Sequence, residues 1–545
     1  MNITNITVKN YRCFENIDIS LNDSLNVFVG MNNAGKSSIL LAVEKALTYL
    51  KTNENNFTLD DYRWGHAGIG ANTQVEFSLS LTIEERKVIC RQIFHEMKDH
   101  VDWERFIDRI LPIFEVFTIK TDLGKFEVNI GNLFLKDGIL AVYPYDDRKE
   151  ESSINNLFRQ LVVGTLNRSV KEIIETHHWS AKFDIQKAIL SALYPKYYSF
   201  SEFRSRPNIG VNQPNMSSFN GTQTANVLLN LKNHTFLRYR KQYQVICHEF
   251  HNFYNNINID AVETDPGTGN ADIQLIVKGT DFPIPIGNVG AGMVEVLTFI
   301  TNMISCENSI LVIEEPECHL HPHAKKRLYK LILQASEKNQ VFVITHDPLF
   351  IPWDNPSALY RFAYSDSGTT IHSLKDKIEI KLMDKIKSAL NDISKRELLF
   401  ARALLLVEDE SQYQFLLGCA ARSNIDIDGA GLSIIHVDGK DNFKPYTKMA
   451  EKFGIDFICL EDLKRESASR HDDFRRRSFG CEIEDYLRKH DLNSLMEEAE
   501  KEVGRSKQRV MRYCGEHISK EEIPEFFSKL LNDAINLCDQ SSTNE

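Results

Sequence analysis

An α/β fold in two parts is what this sequence predicts, and three stretches predict it. The apolar run from Leu25 to Val29 passes straight into Gly30-Met31-Asn32-Asn33-Ala34-Gly35-Lys36-Ser37, which matches G-x-x-x-x-G-K-[ST], and then into apolar residues at helical spacing from Ser38 to Leu50. Two further runs, SILVIEE (309–315) and VFVITHD (341–347), end in polar tips, as buried strands do. Beyond residue 400, ALLLVE (403–408), LSIIHVDG (432–439) and IDFICLED (455–462) alternate with helical patterns. That alternation implies a parallel sheet, with ligands at the carboxyl ends of its strands.

Size and composition narrow the class. A chain of 545 residues is long enough for two or more cores, and 42% hydrophobic with 26% charged residues is an ordinary globular balance. No run of about 18 apolar residues is present, so no membrane span is expected. The opening MNITNITVKN lacks the basic and apolar regions of a secretory signal. Ten cysteines occur without a C-x-x-C pair, which argues against zinc and for free thiols in a reducing cytoplasm. The net charge of −12 repels nucleic acid, so any DNA contact must come from local basic patches.

Taken in order, Ile3-Ile6-Val8 and Ile17-Ile19-Leu21 alternate as two strands around the turn-like Asn10-Tyr11-Arg12-Cys13-Phe14. In the phosphate loop, Gly30 and Gly35 let backbone N–H groups curl around phosphates, with Asn33 and Ser38 among the candidate contacts. Lys36 reaches the terminal phosphates, the Ser37 hydroxyl serves Mg²⁺, and the following helix aims its positive end at the same anion. Residues 73–83 read as a strand, Glu84 to about His100 as a helix, and 115–145 as a meander. Residues 150–265 read as a helical insertion: helices over about 153–175 and 183–195, a mobile polar stretch from 207 to 224, and one long helix from Val227 to Asn256. Within it, Leu237-Arg238-Tyr239-Arg240-Lys241-Gln242-Tyr243 reads as a solvated face ahead of a nucleic-acid contact.

ADIQLIVKG (271–279) returns to strand, and Gly287-Asn288-Val289-Gly290-Ala291-Gly292 opens a helix. Such a loop either receives a phosphate from a second subunit or is a tight turn with no ligand. SILVIEE delivers Glu314 to hold Mg²⁺ and Glu315 to polarise the attacking water. His319, His321 and His323 follow in a proline-bearing turn that gives no common ligand face, so they read as structural. His346 ends VFVITHD and is expected to contact a terminal phosphate. Lys381 to Arg402 reads as a charged connecting helix. Glu408 and Asp462 share the carboxyl edge of the C-terminal sheet, the arrangement Mg²⁺-dependent phosphodiester chemistry needs. Arg465, Arg470 and Arg475-Arg476-Arg477 flank those acids and suggest a track for a phosphate backbone.

The phosphate loop, IEEPECHLHP and ITHD together resemble the ATP-binding-cassette heads of the SMC-like group, over about residues 1–375. The resemblance implies a dimer at least, clamped by ATP, with Gly290 to Gly292 completing the partner's site and Arg12 of NYRCF near the nucleotide. The second half, VEDESQYQF…HVDGKDNF…FICLEDLK…GCEIEDYL…SKQRVMRYCGEHI, resembles the TOPRIM domain of the overcoming-lysogenization-defect (OLD) family, the Gabija and retron-associated nucleases among its members. By that match Glu408, Asp462 and Glu484 are metal-binding acids, with Mg²⁺ or Mn²⁺, and Lys507 stabilises the scissile phosphate. Two positions depart from the family: Gln412 stands where it has a second glutamate, and Lys464 where it has the second acid of D-x-D. So the site binds one metal, recruits Glu461, Glu410 or Asp485, or is inactive.

The resulting expectation is an SMC-like ATPase head (1–150 and 266–378) split by a helical, dimerising insertion (151–265), a connecting helix (379–400) and a TOPRIM domain (401–545). Its implied activity is nucleotide-regulated DNA cleavage in bacterial antiviral defence, alongside a helicase or a reverse transcriptase with its noncoding RNA–DNA. A nucleotide-dependent switch that binds without cutting is the alternative. A structural clamp is disfavoured because no long heptad stretch is present.

Overall fold

The computed structural model describes residues 1–52, 61, 73–93, 104, 108, 116–122, 125–130, 133–136, 139–142, 196–200, 224–264, 271–280, 282–365, 368–375, 378–462 and 475–543. The helices expected at 153–175 and 183–195, the polar stretch from 207, Lys464, Arg465 and Arg470 lie outside them. The chain divides into two compact units, Met1–Asn26 with Gly35–Thr345, and Val27–Ala34 with His346–Glu545.

In the first unit, β1 (Asn2–Tyr11), β2 (Phe14–Ser20), β4 (Gln74–Ser80), β5 (Val116–Asp122), β6 (Lys125–Ile130), β7 (Leu133–Lys136) and β8 (Ile139–Val142) form an antiparallel sheet, ordered β2-β1-β4-β5-β6-β7-β8. Alternation explains it: Ile3, Ile6 and Val8 are buried on one face of β1, and Val75, Phe77 and Leu79 on one face of β4. A parallel layer joins β9 (Tyr197–Phe200), β13 (Ile310–Glu314) and β14 (Gln340–Ile344). The buried Gln340 amide ties that layer to β1, accepting from Ile3 N at 2.7 Å and donating to Ile3 O at 2.7 Å. A third sheet is the hairpin run β10 (Ile257–Glu263), β11 (Ala271–Val277) and β12 (Ile284–Pro285).

Among the described residues, the helices of this unit are α1 (Lys36–Thr52), α2 (Ile83–Ile93), α3 (Thr224–Asn233), α4 (Leu237–Phe253), α5 (Ala291–Ser305) and α6 (Pro322–Ser336). The single helix expected from Val227 to Asn256 is two. The chain breaks at His234–Phe236, where the His234 ring accepts from Phe236 N at 3.0 Å and competes with the helical bond. The span 151–265, read as helical, also supplies β9 and β10; the aromatic run YYSF is too short to announce itself as a strand.

In the second unit, β3 (Leu25–Gly30, from Val27 onward) pairs in parallel with β15 (Leu359–Ser365), which pairs antiparallel with β16 (Gly368–Ser373). A four-stranded parallel sheet follows, ordered β18-β17-β19-β20, from β17 (Ala403–Val407), β18 (Leu432–His436), β19 (Asp456–Glu461) and β20 (Arg476–Ser478). Its helices are α7 (Ile380–Asn391), α8 (Glu410–Arg422), α9 (Ile427–Ala430), α10 (Phe443–Lys452), α11 (Ile483–Lys489), α12 (Asn493–Val503), α13 (Lys507–His517) and α14 (Glu525–Thr543). The connecting helix expected from Lys381 to Arg402 stops at Asn391, where Asp392 accepts from Ser394 N at 3.0 Å and starts a 3₁₀ helix, Ser394–Phe400. Leu405, Val407, Phe415, Leu416, Met511 and Phe527 share one buried core. Helices α8 and α13 touch backbone to backbone: a Cβ on Gly418 would lie 2.3 Å from the carbonyl carbon of Gly515.

Candidate functional site

The phosphate loop is built by residues that only glycine can supply. Gly30 has φ +135°, and a Cβ there would sit 2.2 Å from the Phe362 carbonyl oxygen. Gly35 has φ +87°, and a Cβ would meet Cys13 Sγ at 2.4 Å. Asn33 takes the left-handed conformation between them, at φ 65°. The loop opens onto α1, whose first turn carries no acid to compete with an anion. Lys36 is 6% exposed; burial lowers its ammonium to about 8, and Glu315 partly restores it.

At the tip of β13 the Ser37 hydroxyl donates to Glu314 Oε2 at 2.8 Å. Hydroxyl and carboxylate thus converge as Mg²⁺ coordination beside a phosphate requires. Glu315 follows in the left-handed region, at φ 46°, its N–H held by Ile344 O at 2.8 Å, and the Cys318 thiol donates to its Oε2 at 3.2 Å. Arg12 donates to Asp61 at 3.0 and 3.1 Å and to Ser38 Oγ at 3.4 Å, so Asp61 aims it along α1. His346 follows β14 by two residues and is half-buried. Gly290 caps α5 in open space at φ −65°, whereas Gly292 packs under the His319 carbonyl, 2.6 Å from where its Cβ would be. His319 pairs with the buried Glu295 at 3.1 Å and His321 caps α6, so two of the three histidines have structural work.

Sequence reasoning missed Glu44, an acid on the buried face of α1. Burial raises it to about 7, with the Glu314 charge adding and a Ser199 hydrogen bond opposing. Its signal was an acid among Leu40, Val43 and Leu47 on an otherwise apolar stripe.

The second cluster sits on the carboxyl edge of the β17–β19 sheet. Parallel pairing of Val407 with Leu460 brings Glu408 and Asp462 together, and Asp462 N–H donates to Glu408 Oε2 at 3.2 Å. Gln412, wholly buried, accepts from Glu408 N–H at 2.9 Å and donates its amide to Asp462 Oδ1. Asp409 caps α8, accepting from Ser411 N at 2.9 Å and Gln412 N at 3.0 Å. Burial raises the Asp462 carboxyl to about 7, with the Glu408 charge adding and the Gln412 bond opposing. Lys507 reaches Glu484 at 3.2 Å and Asp409 and Glu482 at 3.4 Å, and these acids raise its ammonium despite partial burial.

The three described arginines flank the carboxyl-terminal half of β19, where Arg476 pairs with Cys459 and Arg477 with Leu460. They form the edge strand β20 and its approach, and each faces an acid of the chain: Arg475 with Asp456 at 3.8 Å, Arg476 with the buried Glu461, Arg477 with Asp533 at 3.5 Å. Arg475 accepts from Cys459 N at 2.8 Å through its carbonyl, while its side chain reaches back to Asp456 at the start of β19.

A glycine loop opening a helix, joined to a strand tipped with acids, defines a P-loop ATPase; the parallel sheet with paired carboxylates at its tips adds a TOPRIM-like half. The chain belongs to the AAA ATPase domain family, which it matches over residues 1–351, and residues 399–463 match the OLD protein-like TOPRIM domain. It is similar to endonuclease GajA of Bacillus cereus (23% identical; 76% of this chain, 66% of that one) and to the retron Vc95 probable ATPase of Vibrio cholerae (21%; 64% and 71%). It is also similar to the OLD nuclease of Thermus scotoductus (22%; 36% and 40%). The chain spans between 28% and 40% of the length of the first curated relatives it matches. Among solved structures, an SMC head bound to the C-winged helix domain of ScpA aligns over 69% of this chain and 98% of that one, at 12% identity and TM-score 0.41.

Proposed function

We propose that this chain is an ATP-binding and ATP-hydrolysing DNA endonuclease of bacterial antiviral defence, with cleavage at Glu408 and Asp462 regulated by the nucleotide. The observation that carries the reading is the meeting of Asp462 N–H with the Glu408 carboxylate at 3.2 Å, on a chain that also holds a complete phosphate loop.

The residues fit ATP and Mg²⁺ in the first half. Gly30 and Gly35 hold the positive-φ turns that let backbone N–H groups curl around a phosphate, and Ser37 with Glu314 offers the ion a hydroxyl and a carboxylate. A bound Mg²⁺ neutralises charge developing on the phosphate oxygens. Glu315 is the acid left to orient the attacking water, and His346 the candidate contact to the terminal phosphate. In the second half, Glu408 and Asp462 fit one Mg²⁺ or Mn²⁺, since Mg²⁺ commonly takes one or two carboxylates and fills its shell with water and phosphate oxygens. Gln412 presents an amide to Asp462 where a second acid would widen the site, so one ion is the occupancy proposed. Lys507, steered by Asp409, Glu482 and Glu484, is the cation left to face the scissile phosphate.

The working arrangement is a head at 1–150 and 266–378, an insertion at 151–265 that dimerises, and a TOPRIM domain at 401–545, in a cytoplasmic homodimer or larger assembly. The Gly290–Gly292 loop would meet the partner subunit's nucleotide. A helicase, or a reverse transcriptase with its RNA–DNA, is the accompanying defence component. The test is purified protein on plasmid DNA with Mg²⁺ or Mn²⁺, with and without ATP. Cleavage lost in Glu408→Ala and Asp462→Ala, and no longer responsive to ATP in Lys36→Ala, supports the reading; no cleavage under any of these conditions, with its defence partners present, rejects it. The Gln412 amide favours a second reading, a nucleotide-dependent switch that binds DNA without cutting. It wins if both acid variants keep biological protection while Lys36→Ala loses it.

A further inference from the structure

We propose that Arg361 is a positioning residue that couples the phosphate-loop strand to the two acid-bearing strands; this rests on the reading that Glu408 and Asp462 hold a divalent cation. β15 lies beside β3 with Arg361 opposite Val29 and Phe362 opposite Gly30, the residue at which strand turns into phosphate loop. A Cβ on Gly30 would lie 2.2 Å from the Phe362 carbonyl oxygen, so the two strands meet there backbone to backbone. The Arg361 side chain, 3% exposed, leaves this strand and donates to four carbonyls: Leu399 at 3.1 Å, Ala401 at 2.8 Å, Phe453 at 3.0 Å and Gly454 at 3.4 Å.

Those four carbonyls are not scattered. Leu399 and Ala401 close the 3₁₀ helix just before β17, and Phe453 and Gly454 close α10 just before β19. Helix ends present carbonyls carrying partial negative charge, which suit a buried guanidinium. A planar five-donor fork can hold both ends at once; an ammonium on a flexible stem cannot. β17 and β19 are five and six residues long and pair in register from Ala403–Asp456 to Val407–Leu460. A shift at their shared entry therefore moves Glu408 relative to Asp462 at their exit. Arg396, 4% exposed, makes a parallel tie, donating to Pro348 O at 3.0 Å in the segment after His346 and to Asn391 O at 3.3 Å at the end of α7.

The experiment measures by calorimetry on the full chain the Mn²⁺ binding that Glu408→Ala removes, so that the ion carried by the nucleotide at Ser37 and Glu314 is not counted, with and without AMP-PNP, in wild type, Arg361→Lys and Arg361→Gln. In wild type the analogue should change Mn²⁺ affinity by about five-fold or more, and Mn²⁺ should change analogue affinity by the same factor. Arg361→Lys should bind each ligand alone within about three-fold of wild type but reduce the linkage to less than about two-fold. Hydrogen exchange on wild type supplies a readout that needs no variant: the analogue should alter exchange over residues 399–409 and 453–462. Linkage intact in folded Arg361→Lys, or no exchange response in those segments, overturns the coupling. Mn²⁺ binding that Glu408→Ala and Asp462→Ala leave unchanged overturns the acid-site reading instead, and the coupling with it.

Discussion

Asp462 holds its proton up to about pH 7 in the folded chain, first because it is buried and then because Glu408 is beside it. Unfolded, the same group titrates at about 3.9. Between those values the folded state keeps a proton that the unfolded state has released, so stability falls as pH rises from about 4 to about 7 and is level above. Denaturant midpoints of metal-free protein should follow that slope, and Asp462→Asn should flatten it. Glu44, also raised to about 7, leaves a residue of the same trend. A midpoint that climbs through this range contradicts the assignment. Gln412 shows what a linear reading cannot supply. As a letter it is a missing acid; in the fold its oxygen and nitrogen serve Glu408 and Asp462 together. Gln412→Ala should cost about 1–3 kcal/mol in urea unfolding by orphaning both. Gln412→Glu should be worse at pH 8 than at pH 5, because it sets one carboxylate against another. The arginines read in sequence as a phosphate-backbone track, and the fold adds that Arg475, Arg476 and Arg477 also face Asp456, Glu461 and Asp533. Arg476→Ala should destabilise by about 3–5 kcal/mol, since it strands the buried Glu461. A loss of DNA affinity without loss of stability would instead support the backbone-track interpretation.

Elements whose sequence carries local chemistry were legible. The strand, glycine loop and helix at 25–52 form as their spacing dictates, as do β13, β14, β17, β18 and β19, each a continuous apolar run with a polar tip. Elements decided by one competing side chain were not: His234 divides α3 from α4, and Asp392 ends α7. β20 was hidden because three residues of RRS carry no apolar alternation; it exists through pairing with β19. The glycine segments separate by the same logic. Gly35→Ala places a methyl against Cys13 and Phe14 at positive φ and should abolish nucleotide binding in a filter or fluorescence assay. Gly290→Ala, in open space at φ −65°, should leave binding by the single chain within about two-fold. If the alanine at 290 abolished binding as thoroughly as the one at 35, the loop would be part of the chain's own pocket.

On the scale of the whole molecule, two compact units imply that unfolding need not be a single transition. Saturating ATP at about 100 times its Kd should stabilise the folded chain by about 2.7 kcal/mol, and Lys36→Ala should erase that shift in a thermal melt. No helix among the described residues is long and apolar enough to cross a membrane, and all ten cysteines are free thiols.

The bare contact between Gly418 and Gly515 has a mechanical consequence for Lys507. α8 carries Asp409 and Gln412 in its opening turn and α13 begins at Lys507, so the missing side chains at 418 and 515 set how closely the two rods are yoked. One methyl at position 418 would act as a wedge, prising the ammonium out of reach of Asp409 and Glu484 without altering a single charged group. The reach of that cation is thus gauged from the far end of its own helix.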